Sequence, residues 1–149
     1  MSITIKNLEA AFAGESQAYT KYRYFAKMAR QQGFEDVAKH FEHTAEQELL
    51  HAHGHLELLI GKPDVKHCLE MAIEGETHEF TIMYPNMQAE AIAEGNQEAE
   101  REAAHQIAES ADHAAEFRAV LAEAEKRFAA LKKVEQRHAE AYQQVWETV

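Results

Sequence analysis

Four glutamates, Glu15, Glu48, Glu76 and Glu79, fall inside apolar stripes when helical faces are drawn at about 100° per residue. Around Glu15 the stripe is Leu8, Ala11, Phe12, Ala18, Tyr19, Tyr22, Ala26 and Ala29. Around Glu48 it is Phe34, Val37, Ala38, Phe41, Ala45, Ala52 and Leu59, with His51 near the edge. Leu69, Ala72, Ile73, Phe80, Met83 and Met87 surround Glu76 and Glu79. An unpaired carboxylate facing a core costs several kcal/mol or more. Lys and Arg are scarce on these stripes, so ion pairing does not account for four such residues. A pair of divalent cations would neutralise several at once. The spacing agrees: Glu48-Leu49-Leu50-His51 puts an oxygen and a nitrogen ligand one turn apart on one face, and Glu76-Thr77-His78-Glu79 does so with two carboxylates. Glu-x-x-His on a bundle helix is a ligand pattern of di-iron and di-manganese carboxylate proteins.

The elements that must position these residues are marked by few breakers, six Gly and two Pro in 149 residues. One helix is expected over Thr4–Gln32, stopping at Gly33, and a second over Phe34–Ile60, stopping at Gly61-Lys62-Pro63-Asp64. A third runs from Val65 or Lys66 to Gly95, kinked at Pro85. Asn96 to Val149 holds neither Gly nor Pro. Unbroken, it would be about 80 Å of helix, so a hidden break is expected near Ser110–His113 or Ala122–Lys126. An internal repeat relates Leu8–Ser16 to Leu69–Thr77 at an offset of 61, and Gly33 and Gly95 close the two copies at nearly the same distance. Two similar helical hairpins suggest an all-α four-helix bundle, one domain over residues 1–149, with approximate two-fold symmetry.

The last ligand pair has two candidates. Glu135-Gln136-Arg137-His138-Ala139 repeats the Glu-x-x-His-Ala of the second helix. Glu109 lies at the repeat offset of 61 from Glu48, with Asp112 and His113 just beyond it. Phase favours Glu135 and His138, which share a stripe with Ala124, Phe128, Leu131, Tyr142 and Val145. Glu109 and His113 fall roughly opposite Ala99, Ala103, Ile107, Ala111, Ala114, Phe117 and Leu121 and read, with Glu98, Glu102, His105 and Glu116, as a solvated face. Residues 96–123 then form an inserted helical segment before the last helix.

Composition narrows the partners. Fifteen Lys and Arg against 26 Asp and Glu give a net charge of −11, unsuited to nucleic acid or an anionic membrane. No apolar run approaches the roughly 20 residues that span a bilayer, and the N-terminal residues do not read as a signal peptide. A single cysteine, Cys68, allows neither an internal disulfide framework nor a Cys-x-x-Cys metal knuckle, and points to a reducing, cytoplasmic setting. Ten histidines beside so many carboxylates make metal the first functional expectation.

These residues resemble the rubrerythrins, diiron peroxidases of the ferritin-like superfamily. The resemblance covers Ile5 to about Gly95 and resumes near Phe128–Trp146; Gly14-Glu15-Ser16-Gln17, Glu48-Leu49-Leu50-His51, Gly75-Glu76-Thr77-His78-Glu79, Met83-Tyr84-Pro85 and Glu135-Gln136-Arg137-His138 carry it. It implies that Glu15, Glu48, Glu76, Glu79, Glu135 and His138 hold two irons, oxo- or hydroxo-bridged when oxidised, with Glu48 and Glu135 bridging. His51 would exchange with Glu79 between oxidation states, and Tyr22 and Tyr84 would hydrogen-bond the ligand carboxylates. Family members commonly carry a four-cysteine rubredoxin domain, which one cysteine cannot form, and the segment before Glu135 departs from the shortest family pattern. The implied function is reduction of hydrogen peroxide to water, in oxidative stress protection, with electrons from an external rubredoxin-like donor. A ferritin-like ferroxidase is the alternative, and a dimanganese catalase would use the same ligand types. Tyr142 and Trp146 near the end of so short a bundle suggest a homodimer.

Overall fold

A computed structural model describes residues 2–147, and they are helical almost throughout. The chain divides into two compact units, Met1–Lys62 and Pro63–Val149, each a helical hairpin. The first joins α1 (Ile3–Gln31) to α2 (Glu35–Ile60). The second joins α3 (Val65–His78), a π-turn (Glu79–Met83) and α4 (Tyr84–Glu94) to α5 (Gln97–Glu147).

Helix starts are set by side-chain caps. Ser2 Oγ accepts from the Ile5 amide at 3.3 Å, Asp64 Oδ1 from His67 at 2.8 Å and Asn96 Oδ1 from Ala99 at 3.1 Å. The hairpin turns use glycine for its left-handed backbone: φ is 84° at Gly33 and 69° at Gly95. Arg30 reinforces the first turn with a fork to both Glu35 (3.0 and 3.2 Å) and Glu42 (2.9 and 3.0 Å). The hydrogen bonds from its guanidinium hold both carboxyls below the ordinary carboxylate range.

The hairpin seams are built from small residues. Ala38 and Ala45 of α2 are fully buried and Ala52 nearly so, one every seven residues, with Ala26 of α1 beside them. Seven-residue spacing keeps one line of side chains on the partner helix. In the second hairpin Ala91 of α4 and Ala103, Ser110 and Ala114 of α5 are the buried positions. Ala45→Leu adds volume where none is free and should cost about 1–3 kcal/mol, lowering Tm by roughly 3–10 °C. Ala13→Leu, at an exposed position of α1, is the control and should leave thermal unfolding unchanged.

Two expectations from the sequence change. Pro85 does not merely kink the third helix: the turn before it widens to a π-turn, closed by the Tyr84 amide bonding to the Glu79 carbonyl. The wider turn accommodates the proline ring and its missing donor. The expected break after Asn96 is absent, and α5 is one helix of 51 residues. Nothing in its Ala- and Glu-rich sequence interrupts it. Residues 96–123 are therefore no separate insertion but largely the part of α5 that faces α3, the π-turn and α4. Lys66 Nζ meets Glu125 at 3.0 Å, and Phe128 lies beside Asp64, Val65 and Lys66, so the later residues of α5 extend past the start of α3.

Candidate metal centre

In the first hairpin α1 supplies Glu15 and α2 supplies Glu48 and His51. One ligand atom from each lies within 4.8 Å of the others. His51 Nδ1 is 3.7 Å from Glu48 Oε2 and 3.9 Å from Glu15 Oε2. Glu48 is the most enclosed, its side chain 18% exposed against 60% for His51. Its carboxyl is raised above the ordinary range because Glu15 shares its hydrogen bond, then through burial and the Glu15 charge, while His51 opposes the shift. Two carboxylates held this close repel unless a proton or a cation sits between them. Hard oxygens with one imidazole nitrogen suit iron or manganese, so this set fits the metal that the sequence implies.

In the second hairpin Glu76 of α3 turns Oε2 into the seam, where the atom is buried with no hydrogen-bond partner. His113 Nδ1 of α5 faces it at 3.5 Å, a contact too long or misaligned to satisfy it. A buried carboxylate oxygen left unmatched is costly, and a cation between Glu76 and His113 would remove that cost. Glu79, the first residue of the π-turn, accepts a 3.0 Å hydrogen bond from Ser110 Oγ, and Ser110 is 2% exposed. The Tyr84 phenol is raised by burial and then by the charges of Glu79, Glu102 and Glu76. Thr77 bonds the Ile73 carbonyl at 2.6 Å and accepts from Arg118 at 2.8 Å, tying α3 to α5 beside Glu76.

The structure thus gathers Glu15, Glu48 and His51 in one hairpin, and Glu76 and Glu79 in the other. It does not bring Glu135 or His138 to either group. Both are exposed on the part of α5 beyond Phe128, and Glu135 is about 39 Å of helix from Glu109. Their stripe is real, but it lies beyond the start of α3. Glu109 is also turned outward, paired with His105 at 3.4 Å. The residues that face Glu76 and Glu79 are His113, which belongs to the less favoured of the two candidate ligand sets, and Ser110, which no sequence expectation includes. Tyr84 lies within reach of the charges of Glu79, Glu102 and Glu76, but its hydroxyl makes no hydrogen bond to a carboxylate among the described residues. Tyr22 instead stacks with Phe25 and Phe41, at ring separations of 6.3 and 6.0 Å, and its hydroxyl bonds no carboxylate among the described residues.

Helical hairpins that present carboxylates and a histidine to their own seams define an all-α chain with a candidate carboxylate–histidine metal site. The chain belongs to the rubrerythrin family, whose model matches residues 6–146. It is 39% identical to a rubrerythrin of Nitratidesulfovibrio vulgaris over 113 residues, 67% of this chain and 59% of the relative. Nigerythrin of the same organism is 38% identical over 110 residues, 64% of this chain and 54% of the relative. A rubrerythrin of Porphyromonas gingivalis is 38% identical over 138 residues, 83% of this chain and 68% of the relative. The chain therefore spans a little over half the length of the two Nitratidesulfovibrio proteins. Among solved structures it is similar to fully reduced, all-ferrous nigerythrin, with 32% identity, 84% of this chain and 69% of that one covered, and a TM-score of 0.42. Among the described residues, no helix is long and apolar enough to cross a membrane.

Proposed function

We propose that this chain is a non-haem diiron peroxidase that reduces hydrogen peroxide to water in oxidative stress protection. The observation that carries the reading is the convergence of Glu15, Glu48 and His51 within 4.8 Å. Glu15, Glu48 and His51 of the first hairpin and Glu76, Glu79 and His113 of the second are the ligands of this reading. When bound, a ferrous pair supplies two electrons, enough to reduce one H₂O₂, with two protons, to two waters.

The chain's own residues do the rest. Glu15 and Glu48 offer anionic oxygens that hold charge in a half-buried seam. His51 sits at the seam's edge, largely exposed and near both carboxylates, free to approach or leave them by rotating its side chain. Tyr84 keeps its proton well above neutral pH, so its hydroxyl remains a hydrogen-bond donor beside Glu76 and Glu79. Ser110 fixes one oxygen of Glu79 and leaves the other free. Cys68 is the sequence's one cysteine and lies exposed, so these 149 residues hold no four-cysteine iron site. The reading takes its electrons from a rubredoxin-like donor outside these residues.

Preference for peroxide tests this reading. The anaerobic, Fe(II)-loaded protein should oxidise at least tenfold faster with H₂O₂ than with O₂, followed by the absorbance of the oxidised centre in a stopped-flow instrument. Equal rates, with iron accumulating beyond two per chain, would replace the peroxidase with a ferroxidase.

A further inference from the structure

One line of positions runs along α5 at alternating spacings of four and three residues, and only its first half is covered. Ala103, Ser110 and Ala114 on that line are buried. Ile107, Phe117, Leu121 and Ala124, which fill the places between and after them, are half-buried. The same spacing continues without a slip through Phe128, Leu131, Glu135, His138, Tyr142 and Val145. There the burial ends: Phe128 is 48% exposed, Leu131 59% and Tyr142 76%. The change falls at the start of α3, whose first residue, Val65, lies beside Phe128. Beyond it, among the described residues, the second hairpin has no helix to lay along the line. A mean spacing of 3.5 residues is the repeat by which helices pair in a coiled coil, and a helix in water draws most of its stability from packing such a stripe.

The uncovered half is complementary to itself when reversed. Turned about a two-fold axis between Gln136 and Arg137, the segment sets Phe128 against Val145 of a second copy, Leu131 against Tyr142, and Glu135 against His138. Each apolar residue meets an apolar or aromatic one, and the two polar positions meet each other as acid and imidazole, once on each side of the axis. In heptad terms every layer joins an a position to a d position. A parallel pair has none of this. It sets Glu135 against Glu135 and His138 against His138, and it brings Arg127 beside Lys132 of the other strand, where flanking charges decide partner and orientation.

We propose that the end of α5 is an interaction surface for a second copy of this chain, the two segments of residues 128–145 forming an antiparallel two-stranded coiled coil. The paired stretch is about 27 Å long. Its apolar layers hold the strands together, and the central Glu135–His138 layers fix their direction and register, because a slip by one heptad would set a polar residue against an apolar one. Trp146, the one tryptophan of the sequence and 83% exposed, flanks the last layer and becomes partly covered on pairing.

Sedimentation of the full chain at rising concentration tests the pairing. The wild type should reach the mass of a dimer, with the Trp146 emission shifting to the blue as it does so. Leu131→Glu puts a charge into two layers and should weaken self-association at least tenfold. Ala130→Glu adds the same charge one residue away, off the seam, and should remain a dimer. Circular dichroism should show both variants as helical as the wild type. A spin label at Lys126→Cys, in a Cys68→Ser background, reads the direction. Antiparallel strands hold the two labels about 32 Å apart along the axis, in addition to the width of the pair, whereas parallel strands leave only that width, about 20–24 Å. A wild type that stays monomeric, a Leu131→Glu variant of unchanged mass, or labels at the parallel distance would each overturn the proposal.

Discussion

Glu48→Gln should abolish tight metal binding, weakening cobalt(II) affinity by about 100-fold or more, and peroxide turnover should fall with it. Glu48 is the most enclosed of the three groups in the first hairpin and touches both others, directly at 3.7 Å to His51 and through a shared hydrogen bond to Glu15. The amide keeps the shape but removes the anion and gives one terminus a donor that repels a cation. The same change should not harm the metal-free fold. Without a cation, the Glu48 carboxyl is raised first by the hydrogen bond it must share with Glu15, then by burial and by repulsion from the Glu15 charge. Glutamine relieves that repulsion, so Tm of the metal-free variant should equal or exceed that of the wild type. Calorimetric binding and thermal unfolding on the same samples check both halves. A variant that loses metal because it unfolds would show a lowered metal-free Tm instead.

The second large effect separates two histidines on one helix. His113→Ala should weaken cobalt(II) binding by about 10–100-fold, the loss of a ligand that faces an otherwise unmatched Glu76 oxygen. His138→Ala and Glu135→Ala should change it by less than about twofold, because these residues are exposed beyond the paired part of α5. Glu109→Ala should likewise be near neutral, since Glu109 pairs outward with His105. Metal titrations of the four variants decide the assignment. If His138→Ala or Glu135→Ala removes metal while His113→Ala does not, the ligands of the second hairpin have been misassigned.

The first hairpin was legible from the sequence because three independent signals coincide there. Glu15 and Glu48 are in phase with apolar stripes, Glu48 and His51 are one turn apart, and glycines mark both ends of the second helix. The second hairpin was only half legible. Glu76 and Glu79 precede the π-turn and follow the same rules. Beyond it, one extra residue rotates every later position by about 100° relative to a plain repeat. An offset of 61 therefore selects Glu109, which faces outward, whereas 62 selects Ser110 and His113. The signal was present in the glycines, since Gly33 and Gly95 are 62 apart while Glu15 and Glu76 are 61 apart. Phase alone could not correct the error, because His113 lies only about 60° around the helix from Ser110, on the edge of the buried line, where polar and apolar faces meet. The length of α5 was hidden for a different reason. A helix that outruns its partner carries no breaker at the point where contact ends, and its apolar stripe continues past that point through Phe128 and Leu131.

Carboxylates and histidines gathered in this way should hold two irons. Equilibrium dialysis of the purified, metal-free chain against excess Fe(II) under anaerobic conditions, followed by iron and protein analysis, tests it most directly. The account predicts about two Fe per chain, with release on chelation. A folded chain that retains less than about half an iron at saturating Fe(II) would contradict it.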